Sequence, residues 1–184
     1  MYQFIYLSVD PGTSMLGTTV NAITHDNQWV VLHSSTTNIG ALLQHKYPRY
    51  LLDLHGERFF KSQLAGEVIS KFALSWDVNK IVSESPYMGK FAQAFAALTE
   101  CMLCMRLSGY QYDPYSLMAT LDPATIKNHV GVKGNSGDKE KMREAVRKIA
   151  GNMVNVDLLD EHSIDSIAVG YAWYRSAWLG LSKG

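Results

Sequence analysis

Cysteine is nearly absent from this chain, whose 184 residues carry two, Cys101 and Cys104. A disulfide-stapled secreted scaffold is thereby excluded, and a lone C-x-x-C with no second pair is a poor zinc or redox site. Two small buried thiols in a helical run, kept in a reducing compartment, account for them. Net charge is missing too, with Lys plus Arg and Asp plus Glu at 17 each. That excludes a uniformly basic, histone-like binder of nucleic acid but leaves local patches open. No apolar run approaches a membrane span, and the first residues lack the basic start, apolar stretch and cleavage site of a secretory leader. The expectation is a cytoplasmic protein with no membrane association. Repeats, low-complexity tracts and convincing linkers are lacking as well. At 47% hydrophobic and 18% charged, residues 1–184 read as one globular domain with a sizeable core.

What is present begins with a strand. Met1 to Val9 puts Phe4, Tyr6 and Ser8 on one face and Ile5, Leu7 and Val9 on the other, then delivers Asp10 to a Pro11-Gly12 turn. Gly17 to Ile23 is a second β-rich run. Trp29 to Thr37, beyond a turn at 25–28, is a third. Their tight connections predict an antiparallel meander. A polar, glycine-containing stretch leads to Leu51–Leu74, where Leu54, Phe59, Phe60, Leu64, Val68, Ile69 and Phe72 recur at helical spacing. Asp77-Val78-Asn79 ends that helix, and Lys80 to Ser85 is a short apolar strand carrying Glu84 just before Pro86. Lys90 to Leu107 is a helix so rich in Ala, Leu, Met and Phe that it reads as a contact between two copies of the chain. Tyr112 to Ala119 reads as a further strand, and Asp122-Pro123 as a capped helix start. Gly131 to Gly137 is expected to be a mobile loop, Asp138 to about Ala150 a charged amphipathic helix, and Leu158 to Trp178 the last helix. That last helix turns Ile164, Ile167, Ala168, Tyr171 and Ala172 inward. The expected class is mixed α/β.

Three acids stand at the ends or on the faces of apolar elements: Asp10, Glu84 and Asp165. His162 lies three residues before Asp165, on the same helical face. Singly, an Asp-Pro-Gly is a turn and an H-x-x-D a capping or solvated pair. Jointly they suit hard divalent cations, which take oxygen ligands and keep waters. Two such ions about 3.5–4 Å apart activate a water and stabilise the leaving oxygen of a phosphodiester. Without metal, the gathered carboxylates would raise one another's pKa. Asp160 and Glu161 adjoin the motif as alternative outer ligands, although helical phase favours His162. Between Lys127 and Lys148, seven Lys/Arg stand against three acids, the strongest positive patch in the chain.

Together these stretches resemble the RuvC family of Holliday-junction resolvases. The resemblance rests on the Asp10-Pro11-Gly12 strand exit, the Ile81-Val82 strand ending in Glu84, and the run from His162 to Ala168. The segment Pro123–Lys127 followed by Gly131–Gly134 and Asp138-Lys139 is similar too, and the match runs in order along nearly the whole chain. It implies a ribonuclease-H-like fold, a mixed sheet with a three-strand meander flanked by helices. It also implies a homodimeric endonuclease that makes paired nicks in four-way DNA, using two Mg²⁺ (or Mn²⁺) ions per active site and no small-molecule cofactor. Asp10, Glu84, His162 and Asp165 would be the metal ligands, and Lys139 would stabilise charge on the scissile phosphate. Lys127 and Lys139 match basic positions that face phosphate in the family, and Lys133 and Arg143 join Lys127 as candidate contacts to the DNA backbone. Tyr87 would stack on an unpaired base, with rim packing as its bland alternative.

Departures from the family include Glu84-Ser85-Pro86-Tyr87 where a Gln-containing run is usual, a longer stretch over residues 38–58, and Ser166 where Ala is common. They suggest a divergent, mobile-element or phage-like member, and they keep a broader branched-DNA or flap endonuclease open beside strict four-way cutting. A non-cutting junction-binding module is a second alternative, disfavoured because unpaired acids repel phosphate. Asp10-Pro11-Gly12-Thr13 also resembles the phosphate loop of sugar kinases and actin-like ATPases. Those need two lobes, and this chain supplies one.

Overall fold

The computed structural model describes residues 2–88, 91–115, 117–132 and 139–181. β1 (Tyr2–Asp10), β2 (Met15–Thr24) and β3 (Trp29–Asn38) form the expected meander, β1 pairing antiparallel with β2 and β2 with β3. β4 (Lys80–Glu84) then adds parallel to β1 on its other side, and β5 (Ala119–Leu121) adds parallel to β4. The sheet order is β3-β2-β1-β4-β5. Parallel neighbours need long crossovers, and the helices between β3 and β5 supply them.

Alternation along β1 divides the core into two layers. Leu7 and Val9 join Leu16, Val20 and Ile81 beneath α1 (Ile39–Lys46), α3 (Glu57–Trp76) and α4 (Ala92–Tyr112). Tyr6 joins Ile23, Trp29 and Val82 beneath α5 (Pro123–Val130), α6 (Lys139–Ala150) and α7 (Glu161–Trp173). The result is a helix–sheet–helix sandwich. No helix among the described residues is long and apolar enough to cross a membrane.

Four local expectations change. The polar stretch after β3 holds α1, started by Asn38, whose side chain accepts from the Ala41 N–H at 2.8 Å. The single helix expected over 51–74 is two, because Gly56 at φ +84° ends α2 (Arg49–His55) and opens α3. The break resets the helical phase, so Leu54 and Phe59 are 72% and 51% exposed, off the apolar face they were expected to share. The strand expected over 112–119 shrinks to β5, since α4 runs to Tyr112 and Asp113-Pro114 then turns, Pro lacking a ladder donor. The last helix is regular to Trp173 and continues as a π-helical segment, Tyr174–Trp178, while Leu158 ends a 3-10 turn ahead of it. The loop expected over 131–137 lies, past Val132, outside the described residues, as do Lys90 and Asp138, the expected first residues of α4 and α6.

Cys101 is buried, Cys104 is partly so, and neither is disulfide-bonded. Helix α4 buries one stripe, Cys101, Met102, Met105 and Gly109. Leu103, Leu107 and Tyr110 remain exposed on its outer side.

Candidate active site

Parallel pairing aligns Val9 with Ser83, so Asp10 and Glu84 leave adjacent strands at the same end of the sheet. Helix α7 crosses β1 and β2 above that end and brings His162 and Asp165 to it. The approach is close because Gly17, opposite Asp10 in the ladder, has no side chain. A Cβ there would fall 2.1 Å from the His162 carbonyl oxygen. Gly17→Ala is therefore expected to lose about 1–3 kcal/mol of stability, read from urea unfolding, as an overpacked core does. Unchanged stability would mean that α7 slides freely on β2.

His162 Nδ1 lies 2.8 Å from Asp10 Oδ2. That hydrogen bond, reinforced by the Asp10 charge, raises the imidazole pKa against the opposing effect of burial. Glu84 is pushed up to about 7, first by burial and then by the charges of Asp10 and Asp165, with Lys127 pulling the other way. Asp165 is likewise pushed up to about 7 by burial and by Asp10, opposed by His162 and Lys139. Three carboxyl groups thus feel one another at a partly buried end of the sheet, an arrangement that a cation relieves. Among the described residues no three carboxylate, imidazole or thiol groups already form a ligand sphere. Asp10 is held by His162. The donor set, three carboxylates and one imidazole, is oxygen-rich and fits a hard divalent ion.

The neighbours of the H-x-x-D motif have other partners. Asp160 caps α7, accepting from the Ser163 N–H at 2.9 Å and from Thr36 Oγ1 at 2.5 Å. Glu161 pairs with Lys139, joining the first turns of α6 and α7. Lys139, Arg143, Glu161 and Asp165 line one small cleft of about 160 Å³. Arg143 sits deeper than a free phosphate contact would, its Nη1 donating to the Val156 and Leu159 carbonyls at 2.8 and 3.0 Å. Lys127 lies in the last turn of α5, within electrostatic reach of Glu84. Tyr87 stands just past β4 and is 71% exposed, which removes it from the core. Lys133 lies outside the described residues.

Sequence reasoning missed the polar layer beneath α7. Ser8, Thr19, Asn21 and Ser166 are fully buried, and their hydroxyl and amide groups bond one another and the helix backbone. The signal was there: Ser8 breaks the apolar face of β1, and Ser163 and Ser166 repeat at helical spacing.

No protein-family model and no curated protein matches the sequence. Solved structures do. The chain is similar to Thermus thermophilus RuvC in complex with Holliday junction substrate, at 13% identity and TM-score 0.72, covering 96% of this chain and 97% of that one. It is similar to the yeast mitochondrial Holliday junction resolvase Ydc2, at 13% identity and TM-score 0.68, covering 97% of this chain and 80% of that one. It is also similar to the Fowlpox virus resolvase with its Holliday junction DNA, at 10% identity and TM-score 0.55, covering 94% and 98%. Identities this low speak to architecture, and along nearly its whole length the chain has the ribonuclease-H-like fold of the RuvC-type resolvases.

Proposed function

We propose that the protein is a metal-dependent endonuclease that resolves four-way DNA junctions by paired hydrolytic nicks. The observation that carries the reading is the gathering of Asp10, Glu84 and Asp165 at one sheet end, with two carboxyl groups pushed up to about 7 by burial and mutual charge. Isolated acids facing DNA would repel phosphate, and a site built this way serves cation binding. Neighbours of the same fold, solved with Holliday junction DNA, support the substrate class.

In this reading Asp10, Glu84, His162 and Asp165 would hold two Mg²⁺ or Mn²⁺ ions. When bound, such ions supply an activated water and neutralise charge on the leaving oxygen. The chain's own residues do the rest. Release of Asp10 Oδ2 from His162 frees a ligand oxygen at the strand end. Lys139, at the cleft beside Asp165, sets a positive charge where the scissile phosphate develops negative charge. Lys127 and Lys133 fix the DNA backbone without reading sequence, while Arg143, tied to the Val156 and Leu159 carbonyls, braces the cleft. Tyr87, exposed beside Glu84, stacks on a base at the branch. The exposed row Leu103, Leu107 and Tyr110 on α4 supports pairing of two copies, which presents two sites to one junction.

A cleavage assay tests this. Four-way junction, flap, Y-fork and linear duplex are compared in Mg²⁺, Mn²⁺ and EDTA. Symmetric nicks in the four-way junction, absent in EDTA, are expected. Equal cutting of flaps and forks would broaden the substrate to branched DNA in general. Binding of the junction with no cutting in either metal would overturn the enzyme and leave a binding module.

A further inference from the structure

Helix α7 carries two adjacent stripes with different tasks. One, His162 and Asp165, faces Asp10. The other, Ser163 and Ser166, faces a sheet surface that is polar where an apolar one would be ordinary. A directional chain of hydrogen bonds runs from that surface into the helix. Ser34 Oγ and Thr19 Oγ1 are 2.9 Å apart, and Thr19 Oγ1 and Ser166 Oγ are 2.6 Å apart. Ser166 Oγ donates to the Ser163 carbonyl at 2.8 Å. With that proton committed, Thr19 must donate to Ser166, while the single Ser34 hydrogen serves either Thr19 or the Ser163 carbonyl, 3.3 Å away. A second chain runs from Asn21 Nδ2 to Ser8 Oγ at 2.8 Å and from Ser8 Oγ to the Ser166 carbonyl at 2.7 Å. Both chains end on backbone carbonyls that bracket Asp165, at positions 163 and 166.

Apolar packing alone lets a helix slide or rotate on a sheet by fractions of an ångström. Buried, fully satisfied hydrogen bonds do not, because each displaced donor would be left unpaired in a dry interior. Both serines adjoin a candidate ligand in sequence, Ser163 next to His162 and, beside Asp165, Ser166. Thr19 is the partner of Ser166 from the sheet and is fully buried. From this geometry we infer that the Thr19–Ser166 link is a positioning device, fixing the rotation of α7 so that Asp165 faces the same point as Asp10 and Glu84. The inference rests on the nuclease reading above. Neither residue is catalytic. They act through Asp165 by holding the helix that carries it.

Thr19→Val removes the hydroxyl and keeps the shape. In the full chain at pH 8, Mn²⁺ binding is measured by the loss of the free-ion paramagnetic resonance signal, alongside junction cleavage kinetics and junction binding in EDTA. Thr19→Val is expected to weaken Mn²⁺ binding and lower kcat, each by about tenfold, the low end of the loss seen when a group supporting a metal ligand is removed. KM and junction binding in EDTA should not change. Thr19→Ser, which restores the hydroxyl but not the methyl group, should recover both. Ser166→Ala, the milder cut in the same chain, gives the same readout should Thr19→Val fail to fold. Wild-type Mn²⁺ affinity and kcat in a folded Thr19→Val protein would overturn the positioning role, even if its melting temperature fell. Failure of the unmodified protein to take up Mn²⁺ would instead overturn the metal-site reading, and this inference with it.

Discussion

Asp10→Asn is expected to abolish junction cleavage while leaving the fold and junction binding intact. Loss of an outer partner of a metal ligand costs about 10–100-fold in affinity or activity, so loss of a ligand carboxylate costs at least that, about 10²-fold or more. The fold survives because two local effects oppose each other. The substitution replaces a carboxylate hydrogen-bonded to His162 Nδ1 with an amide, weakening a charge-assisted bond. It also removes the charge that burial and proximity set against Glu84 and Asp165. Both carboxyl groups then ionise more readily and the repulsion at the sheet end falls. Junction binding in EDTA is expected to hold or tighten, since one negative charge leaves the DNA face. The measurements are a single-turnover cleavage time course with Mn²⁺ and a gel-shift titration in EDTA. Cleavage at the unmodified rate would remove Asp10 from the site. Loss of EDTA binding together with cleavage would mean that Asp10 maintains structure.

How much of this was legible in the sequence follows from which forces act locally. The meander was legible because its strands alternate, its turns carry Asp, Asn and Gly, and β1 has a distinct residue set on each face. The strand-end acids were legible for the same reason: a charge at the close of an apolar run is conspicuous in one dimension. The helical stripe of His162 and Asp165 needed only the helix period. The split of α2 from α3 was hidden, because Gly56 inside an apolar-periodic run looks like a tolerated glycine until its φ of +84° is seen. The short β5 was hidden because its pairing with β4 is long-range, whereas the Tyr112–Ala119 stretch showed only local β-propensity.

The layer under α7 was the least legible. A buried Ser or Thr looks like a surface residue in a sequence, and the partners of Ser166 come from 147 residues away at Thr19 and 158 away at Ser8. The departure that the family resemblance implies at Ser166 acquires a physical role only beside Thr19. The neighbours Asp160 and Glu161 were ambiguous ligands in the sequence. One caps α7 and the other pairs with Lys139, which the helix period could not reveal.

In the metal-free protein, stability is expected to fall as pH rises from about 5 to 8, and divalent cations are expected to restore it only at the high end. Glu84 and Asp165 are both pushed up to about 7 in the folded chain, from ordinary values of 4.5 and 3.8. Between those limits the folded state holds more protons than the unfolded state, so stability declines with pH across that window. His162 acts in the same direction. Its pKa is raised by Asp10, so its contribution is complete below the unfolded value of 6.5 and is lost as pH rises through the folded one. Solvent reaches part of the site, and the combined loss is about 3 kcal/mol. For a chain of this size that lowers the melting temperature by roughly 6–12 °C. Mg²⁺ or Mn²⁺ binds the ionised carboxylates, so at pH 8 a concentration of 100 times Kd returns about 2.7 kcal/mol. At pH 5.5 the same ions find protonated acids and change little. Glu84→Gln removes one of the titrating groups. That variant should melt higher than the unmodified chain at pH 8 without metal, show a shallower pH slope, and gain less from Mn²⁺. Differential scanning calorimetry over pH 5–8, with EDTA or Mn²⁺, reads all three. A melting temperature that climbs with pH in EDTA, or a Mn²⁺ gain equal at pH 5.5 and 8, would show that these carboxyl groups do not share one cation-binding end of the sheet.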